Sequence, residues 1–153
     1  MARLKEYNGH YCESEYEYAF IGFLEAEGWK YSSGNNIHRV TKRDILIVDD
    51  FKKFIADTNP DLTEEEVTQI YDNVRLVGAE SDFATLHKVY GWMVNGVQFT
   101  PQDGLPRMIP LIDFDNLDKN IFRVVNQFTV EYTNNGQKEN RRPDVLLFVN
   151  GMP

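Results

Sequence analysis

The chain has almost no cysteine, which excludes a fold held together by disulfides. Cys12 is the only cysteine in 153 residues, so no internal disulfide can form. Free thiols are typical of the reducing cytoplasm, and the sequence therefore predicts a cytoplasmic location. The three histidines, His10, His38 and His87, lack metal-ligand spacing, and together with a single cysteine they exclude a zinc site.

Long apolar runs and the common nucleotide-binding and hydrolase motifs are also absent. No stretch approaches the roughly 18–20 apolar residues of a membrane span. The first residues, MARLKEYNGHYCESE, lack the apolar core of a signal peptide. Neither GxxxxGK[ST] nor GxSxG occurs, which argues against a P-loop and against a nucleophile elbow. We expect no association with membranes.

Basic residues are fewer than acidic ones. Lys and Arg total 16 and Asp and Glu total 24, which gives a net charge of −8. A stand-alone nucleic-acid-binding domain is usually basic, so this balance argues against one while leaving room for a local basic strip. The basic residues of the second segment are Arg39, Lys42, Arg43, Lys52 and Lys53. Their pattern is more typical of a solvated helix face than of a row of residues that binds nucleic-acid phosphates.

The composition is that of one globular domain. Hydrophobic residues make up 42% and charged residues 26% of the chain, both ordinary values. A chain of this length predicts a single domain over residues 1–153. It can bury roughly 68–70% of the surface that the unfolded chain exposes, so it does not need disulfides or metal ions to fold.

The first part of the chain favours helices. Apolar residues recur at helical spacing over residues 13–28, 43–58, 64–76 and 81–94. Thr63 and Glu66 form a capping box at the start of the third helix. The residues expected to face inward in the first helix are Tyr16, Phe20, Phe23 and Leu24. Those in the third are Val67, Ile70, Tyr71 and Val74, and those in the fourth are Phe83, Leu86, Tyr90 and Met93.

The last part changes to the period of two that is typical of strands. Extended segments are expected at residues 96–100, 108–114, 122–132 and 144–149. Phe122, Val124, Phe128, Val130 and Tyr132 would then share one face, with Asn126 as the polar exception. The last segment, DVLLFV, is apolar on both faces and indicates a buried central strand. The sequence thus predicts an α/β (α+β) fold with helices first and a mixed or antiparallel sheet after them.

Two turn signals frame the last strands. Residues 133–137 predict one turn, and Asn150-Gly151 predicts a tight hairpin turn. Because only two residues follow that second signal, we expect that the sequence is cut short before the partner strand.

Asp144 is the first candidate for chemistry. It stands at the entrance of the DVLLFV strand, directly after Arg141-Arg142-Pro143. A carboxylate held rigidly and partly desolvated at that place suits a hard cation such as Mg²⁺. The alternative is a structural residue that pairs with Arg141 or Arg142 or caps the turn, since ion pairs also perturb acids.

A second candidate is the pair of acids Glu13 and Glu17 on the first helix. With Phe20 and Leu24 they form one stripe at i, i+4, i+7 and i+11, which directs both acids toward the core and leaves Glu15 in solvent. The alternative is that they are acids of a first turn favoured by the helix dipole.

Asn126-Gln127 is a polar pair inside an apolar strand. Adjacent strand residues point to opposite faces, so only one of the two can face the core. A buried amide needs partners, and it either ties a loop or touches a substrate. The spacing does not choose between these two roles.

Four segments resemble the nuclease domain of the R subunit of type I restriction-modification enzymes. They are NIFRVVNQFTVEYTNNGQKENRRPDVLLFVNGMP, ILIVDDFKKFIADTNPDLTEEEV, RLVGAESDFATLHKVYGWMVNGVQFTP and MIPLIDFDN. Their order and spacing agree with that domain over nearly the whole chain. The combination of NQF, RRPD and LFVNGMP carries the resemblance most specifically.

The resemblance implies a restriction-endonuclease-like PD-(D/E)xK fold and a Mg²⁺-dependent DNA nuclease. It implies that Asp144 is the acid that opens the strand and that Glu13 or Glu17, with Glu17 favoured, joins the metal. Gln127 matches a recurrent Gln, and Arg142 flanks Asp144. We expect each of them to contact the substrate or to have a structural role.

The chain departs from the family pattern at its end. No Glu or Lys follows Asp144, so the E-x-K element would lie beyond Pro153. Asp50-Phe51-Lys52 is treated as a chance match. The resemblance implies DNA, the methylation and specificity subunits, and ATP-driven translocase domains elsewhere in the parent protein.

Two functional hypotheses follow. In the first, the chain is an N-terminal piece of an R subunit and is inactive alone, with an exposed strand edge that favours weak self-association. In the second, it is a binding or assembly module that cuts nothing. The net charge of −8 and the incomplete site support the second.

Overall fold

The structure, a computed structural model, describes residues 12–77 and 82–153 as a mixed α/β domain. The helices in these ranges are α1 (Glu13–Ala26), α2 (Val48–Thr58), α3 (Glu64–Arg75) and α4 (Asp82–Asn95). The strands are β1 (Lys30–Ser33), β2 (Val97–Phe99), β3 (Arg107–Ile109), β4 (Phe122–Asn126), β5 (Val130–Asn134), β6 (Gln137–Arg141) and β7 (Val145–Val149). None of the helices in the described ranges has the length and apolar content that a bilayer crossing requires.

Strand β4 is the centre of the three-stranded sheet. It pairs in parallel with β1 and antiparallel with β7. The expectation that the DVLLFV strand is central is wrong for the described part of the chain, where β7 flanks β4. The reason lies in β4 itself, because its neighbours Val124 and Val125 point to opposite faces and are both fully buried. The pairs β2–β3 and β5–β6 form two further antiparallel ribbons.

Different layers cover the two faces of β4. On one face, Ile21 and Leu24 of α1 pack against Val124. On the other face, Val125 packs against Ile47, the residue that precedes α2, in a cluster with Phe128 and Phe148. The sheet therefore lies between α1 and the start of α2.

The largest hydrophobic cluster joins α2 and α3. Its members from these two helices are Phe51, Phe54, Ile55, Val67, Ile70, Tyr71 and Val74. This confirms the predicted inward face of the third helix. The predicted capping box is also confirmed, since the Thr63 hydroxyl accepts from the Glu66 amide at 3.2 Å and the Glu66 carboxylate accepts from the Thr63 amide at 2.9 Å.

The inward faces predicted for α1 and α4 are mostly wrong. The exposed residues that were expected inside are Tyr16, Phe20, Phe23, Phe83, Leu86 and Tyr90. In α1 the buried residues are Ile21 and Leu24, and in α4 Trp92 packs against the main cluster while Met93 is half-buried. Both helices carry apolar residues around more than one stripe, so their pattern does not select the face that packs against the rest of the domain.

The long strand predicted over residues 122–132 is two strands. Gln127 has a φ of 56°, a left-handed conformation that ends β4 and changes the alternation of faces. As a result Val124 packs toward α1, whereas Phe128 joins the cluster on the opposite face.

Two other boundaries differ from those expected. Helix α2 begins at Val48, and the buried Leu46 and Ile47 precede it. Strand β3 ends at Ile109, because Pro110 has no amide to continue the ladder.

The Asn150-Gly151 turn confirms the predicted hairpin signal. Both residues are left-handed, with φ of 52° and 78°, and Val149 exchanges two backbone hydrogen bonds of 2.9 Å with Met152. The Asn150 side chain is fully buried and bonds the Ile121 amide at 2.7 Å. A Cβ on Gly151 would stand 2.3 Å from the Ile47 carbonyl oxygen, so only glycine fits there.

A buried ion pair ties α2 to β4. The Arg123 guanidinium donates to both Asp50 oxygens at 2.6 and 2.7 Å and to the Ser32 hydroxyl at 2.7 Å. The side chains of Arg123 and Asp50 are only 19% and 8% exposed. Asp50-Phe51-Lys52 lies in α2, and its aspartate makes a structural ion pair.

We expect Asp50→Asn to lower the free energy of unfolding by about 3 kcal/mol, because it leaves the Arg123 charge buried without its partner. Urea unfolding measures the loss. Asp57→Asn is the matched control, since Asp57 and its partner Lys53 are both 60% exposed and such pairs contribute less than about 1 kcal/mol. Equal losses in the two variants would contradict the assignment.

Candidate functional site

Polar residues collect at the end of the sheet where β4 finishes and β7 begins. Asn126, the last residue of β4, pairs with Val145, the first residue of β7, and with Ser33, the last residue of β1. Asp144 directly precedes Val145, and Gln127 directly follows Asn126. The antiparallel register thus brings two separate candidates of the sequence to one end of the sheet.

Asn126 connects this end of the sheet to α1. Its side chain is 1% exposed. The amide nitrogen donates to Glu17 Oε1 at 2.8 Å, and the amide oxygen accepts from the Tyr31 hydroxyl at 2.9 Å. Burial, followed by the nearby Tyr18 and Glu17, raises the pKa of Tyr31, so its hydroxyl stays a donor near neutral pH. Of the two roles that the sequence allowed for a buried amide, the structure supports a structural tie.

The acids of α1 differ in their surroundings. Glu17 is half-buried beside Asn126, whereas Glu13 is exposed in the first turn. Glu15 was expected in solvent but is half-buried, and its carboxylate accepts from the Cys12 amide at 3.2 Å. The stripe argument is therefore correct in direction for Glu17 and wrong for Glu13, which lies one turn away from the contact with β4.

Asp144 is exposed, which corrects the expectation of partial desolvation. The correction has a physical reason, since Asp144 stands before β7, the flanking strand of the described sheet. Within the described residues it makes no hydrogen bond and no ion pair. Arg141 instead donates to the Tyr132 hydroxyl at 3.1 Å, and Arg142 is exposed without an ion pair in the same ranges. The alternative of a structural pair between Asp144 and either arginine is thus not supported.

Gln127 is placed by its backbone. It is half-buried and left-handed, a conformation that is uncommon for residues other than glycine and that marks local strain. Its carbonyl oxygen lies against Gly34, where a Cβ would approach it to 2.7 Å. Gln127 therefore fixes where the chain leaves the sheet, at the same end as Asp144.

The described residues contain no group of three or more His, Cys, Asp or Glu side chains placed to hold a metal. A cavity of about 500 Å³ lies between the ends of α2 and α4 and the loop at 110–116. It includes none of the predicted site residues. The candidate site is therefore the open end of the sheet and not an enclosed pocket.

The loop before α2 is ordered by Asp44. Its carboxylate accepts from Arg75 Nε at 2.8 Å and from the Thr41 amide at 3.0 Å, and it is buried. Burial opposes the charged form, but the hydrogen bonds from Arg75 and Thr41 outweigh it and hold the pKa of Asp44 below its usual value.

The basic residues of this region do not share one helix face, which corrects the sequence interpretation. Arg39, Lys42 and Arg43 lie in the loop before α2, and only Lys52 and Lys53 lie on the helix. Lys52 donates to Thr68 at 2.9 Å and Lys53 pairs with Asp57 at 2.7 Å. The loop residues, by contrast, have no carboxylate partner among the described ion pairs.

Tyr31 is the site residue that sequence reasoning missed. Its hydroxyl reaches Asn126 only because β1 pairs in parallel with β4, across 95 residues of sequence. The polar exception in an apolar strand marked Asn126, but no local pattern marked its partner.

We expect the stability of the protein to fall as the pH drops below the ordinary range of an aspartate, from about pH 5 to about pH 2.5. A depressed folded pKa stabilises the fold above the unfolded value, and that contribution is lost as the pH falls through the folded pKa. Asp44→Asn should lose less stability over this range than the wild type, measured by urea unfolding at both pH values. The exposed Asp103→Asn is the control, and an unchanged pH response in Asp44→Asn would contradict the assignment.

The chain is a mixed α/β domain in which Asp144 precedes a strand and Glu17, on a helix, binds Asn126 at the same end of the sheet. Residues 11–153 match the family model described as Type I restriction enzyme R protein N terminus. The chain belongs to this family.

Two relatives agree with that assignment. One is a Methanocaldococcus jannaschii protein assigned as the MjaIXP endonuclease subunit of a type I restriction enzyme, 37% identical over 147 residues. The other is the type I restriction enzyme HindI endonuclease subunit of Haemophilus influenzae, 28% identical over 155 residues. The matches cover 90% and 92% of this chain and 14% of each relative, so the chain spans about a seventh of their length.

Proposed function

We propose that residues 1–153 form the N-terminal nuclease domain of a type I restriction enzyme R subunit, a cytoplasmic protein that hydrolyses phosphodiester bonds in DNA. The proposal includes a PD-(D/E)xK site with Asp144 at its centre. One observation carries it: the family match spans a chain in which Asn126 brings Glu17 to the sheet end that Asp144 also occupies. The names of both relatives, endonuclease subunits of type I restriction enzymes, support it further.

The two carboxylates are ligands of the kind that a magnesium ion prefers. Mg²⁺ in proteins is usually held by one or two carboxylates and keeps several waters. Asp144 is exposed, with both oxygens uncommitted among the described contacts, and Glu17 uses one oxygen for Asn126. When bound, the metal would supply polarisation of the scissile phosphate and a lower pKa for its water.

The remaining residues position these groups. Tyr31 orients the Asn126 amide, and Asn126 in turn fixes the carboxylate of Glu17, so that its rotamer is set before any substrate arrives. Arg142, exposed two residues before Asp144, adds positive charge where a phosphate would approach.

The Glu and Lys of the family pattern would come from the strand that the hairpin begins. Val149 and Met152 set an antiparallel register across the Asn150-Gly151 turn. In a longer chain that keeps this register, residues shortly after Pro153 would run back alongside Asp144. ATP-driven translocation and the methylation and specificity subunits would belong to the rest of the complex, and we expect residues 1–153 alone to cut no DNA.

Asp144→Asn in the full-length parent protein should reduce DNA cleavage at least about 10²-fold, because it weakens the charge stabilisation that a metal ligand supports. ATP hydrolysis should continue, because the proposal assigns ATP-driven translocation to the rest of the complex. Cleavage and ATPase assays on the same preparation measure both. The control is Asp103→Asn, an exposed loop acid outside the site. Cleavage at the wild-type rate by Asp144→Asn would refute the nuclease assignment.

The two acids of α1 should separate in the same assay. Glu17→Gln should lower cleavage by about 10-fold or more, as expected when a group that holds or orients a metal is lost. Glu13→Gln should leave it near the wild-type rate, because Glu13 is exposed and remote from Asn126. The reverse order of effects would move the metal site to the first turn of α1.

An assembly module is the second candidate function. Large apolar residues are exposed on α1 and α4, among them Tyr16, Phe23, Phe83 and Leu86. Exposed patches of this kind often mark protein contacts. The assembly function is supported if the Asp144→Asn parent protein still cleaves DNA at the wild-type rate while deletion of the domain prevents assembly of the complex.

A further inference from the structure

A small polar cavity lies between the loop that follows β1 and the start of β5. Its volume is about 270 Å³, below the roughly 300–1,000 Å³ of pockets for drug-sized ligands. Two cations, Arg39 and Lys42, line it together with the polar Asn35, Thr41 and Thr129. No carboxylate belongs to its lining. Its size and charge suit one small anionic group.

The cavity lies at the same end of the sheet as the candidate site. Its wall begins at Gly34, directly after Ser33, which pairs with Asn126. A Cβ on Gly34 would stand 2.6 Å from the Phe128 Cα, so the loop lies against the backbone that leaves β4. The β5–β6 hairpin then connects this place to the residues that precede Asp144.

Hydrogen bonds fix the conformation of the loop that carries the two cations. Thr41 is held by the buried Asp44 through its amide and hydroxyl. The Lys42 carbonyl accepts from the Glu131 amide at 2.9 Å, which ties the loop to β5. Lys42 thus has a fixed backbone and an exposed side chain.

Arg39 is positioned without an ion pair. Its guanidinium stacks 4.0 Å from the centre of the Phe128 ring and donates to the Asp44 carbonyl at 3.3 Å. Burial lowers its pKa, and the nearby Asp44 and Glu131 only partly compensate. The Asp44 carboxylate is already committed to Arg75. An anion in the cavity would give this desolvated cation the partner it lacks.

We propose that the cavity holds a phosphate of the DNA backbone, bound by Arg39 and Lys42, beside the phosphodiester presented to Asp144. The inference rests on the proposed function. It accounts for how a chain with a net charge of −8 contacts DNA, since the contact is confined to one local cationic site. Phosphate contacts of this kind position a duplex without reading its sequence.

The test is the salt dependence of DNA binding by the 153-residue chain. Fluorescence anisotropy with a labelled duplex of random sequence gives the affinity at several salt concentrations. Each phosphate contact contributes about 0.9 to the slope of log affinity against log salt. Lys42→Gln should weaken binding several-fold at low salt and reduce the slope by about 1. Its backbone bond to Glu131 does not involve the side chain, so the fold is kept.

Lys30→Gln is the matched control, because it removes the same charge from the opposite end of β1 and should leave affinity and slope unchanged. Arg39→Gln should act like Lys42→Gln, with thermal unfolding measured alongside because Arg39 also packs on Phe128. Equal effects of Lys42→Gln and Lys30→Gln, or no measurable binding by the wild-type chain, would overturn the proposal.

Inorganic phosphate distinguishes the source of the anion. If it shifts the amide signals of residues 39–42 in NMR while Lys42→Gln binds the duplex like the wild type, the cavity takes free phosphate and the DNA assignment is wrong. The readout is binding, so it is independent of cleavage. Loss of cleavage in the Asp144→Asn parent with unchanged binding by Lys42→Gln would leave the proposed function standing and remove only this inference.

Discussion

The structure depends on two polar anchors that β4 carries on its opposite faces. On one face Arg123 pairs with Asp50 and fixes α2. On the other face Asn126 binds Glu17 and Tyr31 and fixes α1 and β1. Apolar packing alone tolerates rotation and sliding of helices over a sheet, whereas these directional contacts allow one arrangement. The second anchor places Glu17 at the end of the sheet where β7 begins.

Local chemistry made part of the fold predictable from the sequence. The Thr63 and Glu66 capping box and the two Asn-Gly turns all occur as expected, because each requires only residues within one turn of the chain. The faces of α1 and α4 and the break at Gln127 were not predictable in this way. They depend on which partner covers a helix and on how the loop at Gly34 meets the end of β4.

The candidate site shows the same division. Asp144 and the polar exception Asn126 stood out as single residues, and the stripe on the first helix indicated Glu17. The sequence did not indicate the hydrogen bond between Glu17 and Asn126, because these two residues are 109 positions apart. The basic loop was misread for a related reason. Its residues are spaced like those of a helix, but Asp44 holds them in an irregular turn that no local pattern encodes.

Two of the Asn-Gly sequences of the chain, Asn135-Gly136 and Asn150-Gly151, form left-handed turns, but their Asn side chains differ in their freedom to move. Deamidation at Asn-Gly needs the side-chain amide to swing toward the glycine nitrogen. At Asn150 the amide is buried and held by Leu111, Asn120 and Ile121, so this motion is blocked. Asn135 is exposed at the tip of the β5–β6 hairpin, where nothing comparable restrains it. Ageing of the protein would therefore add negative charge to the hairpin tip while leaving the turn after β7 intact.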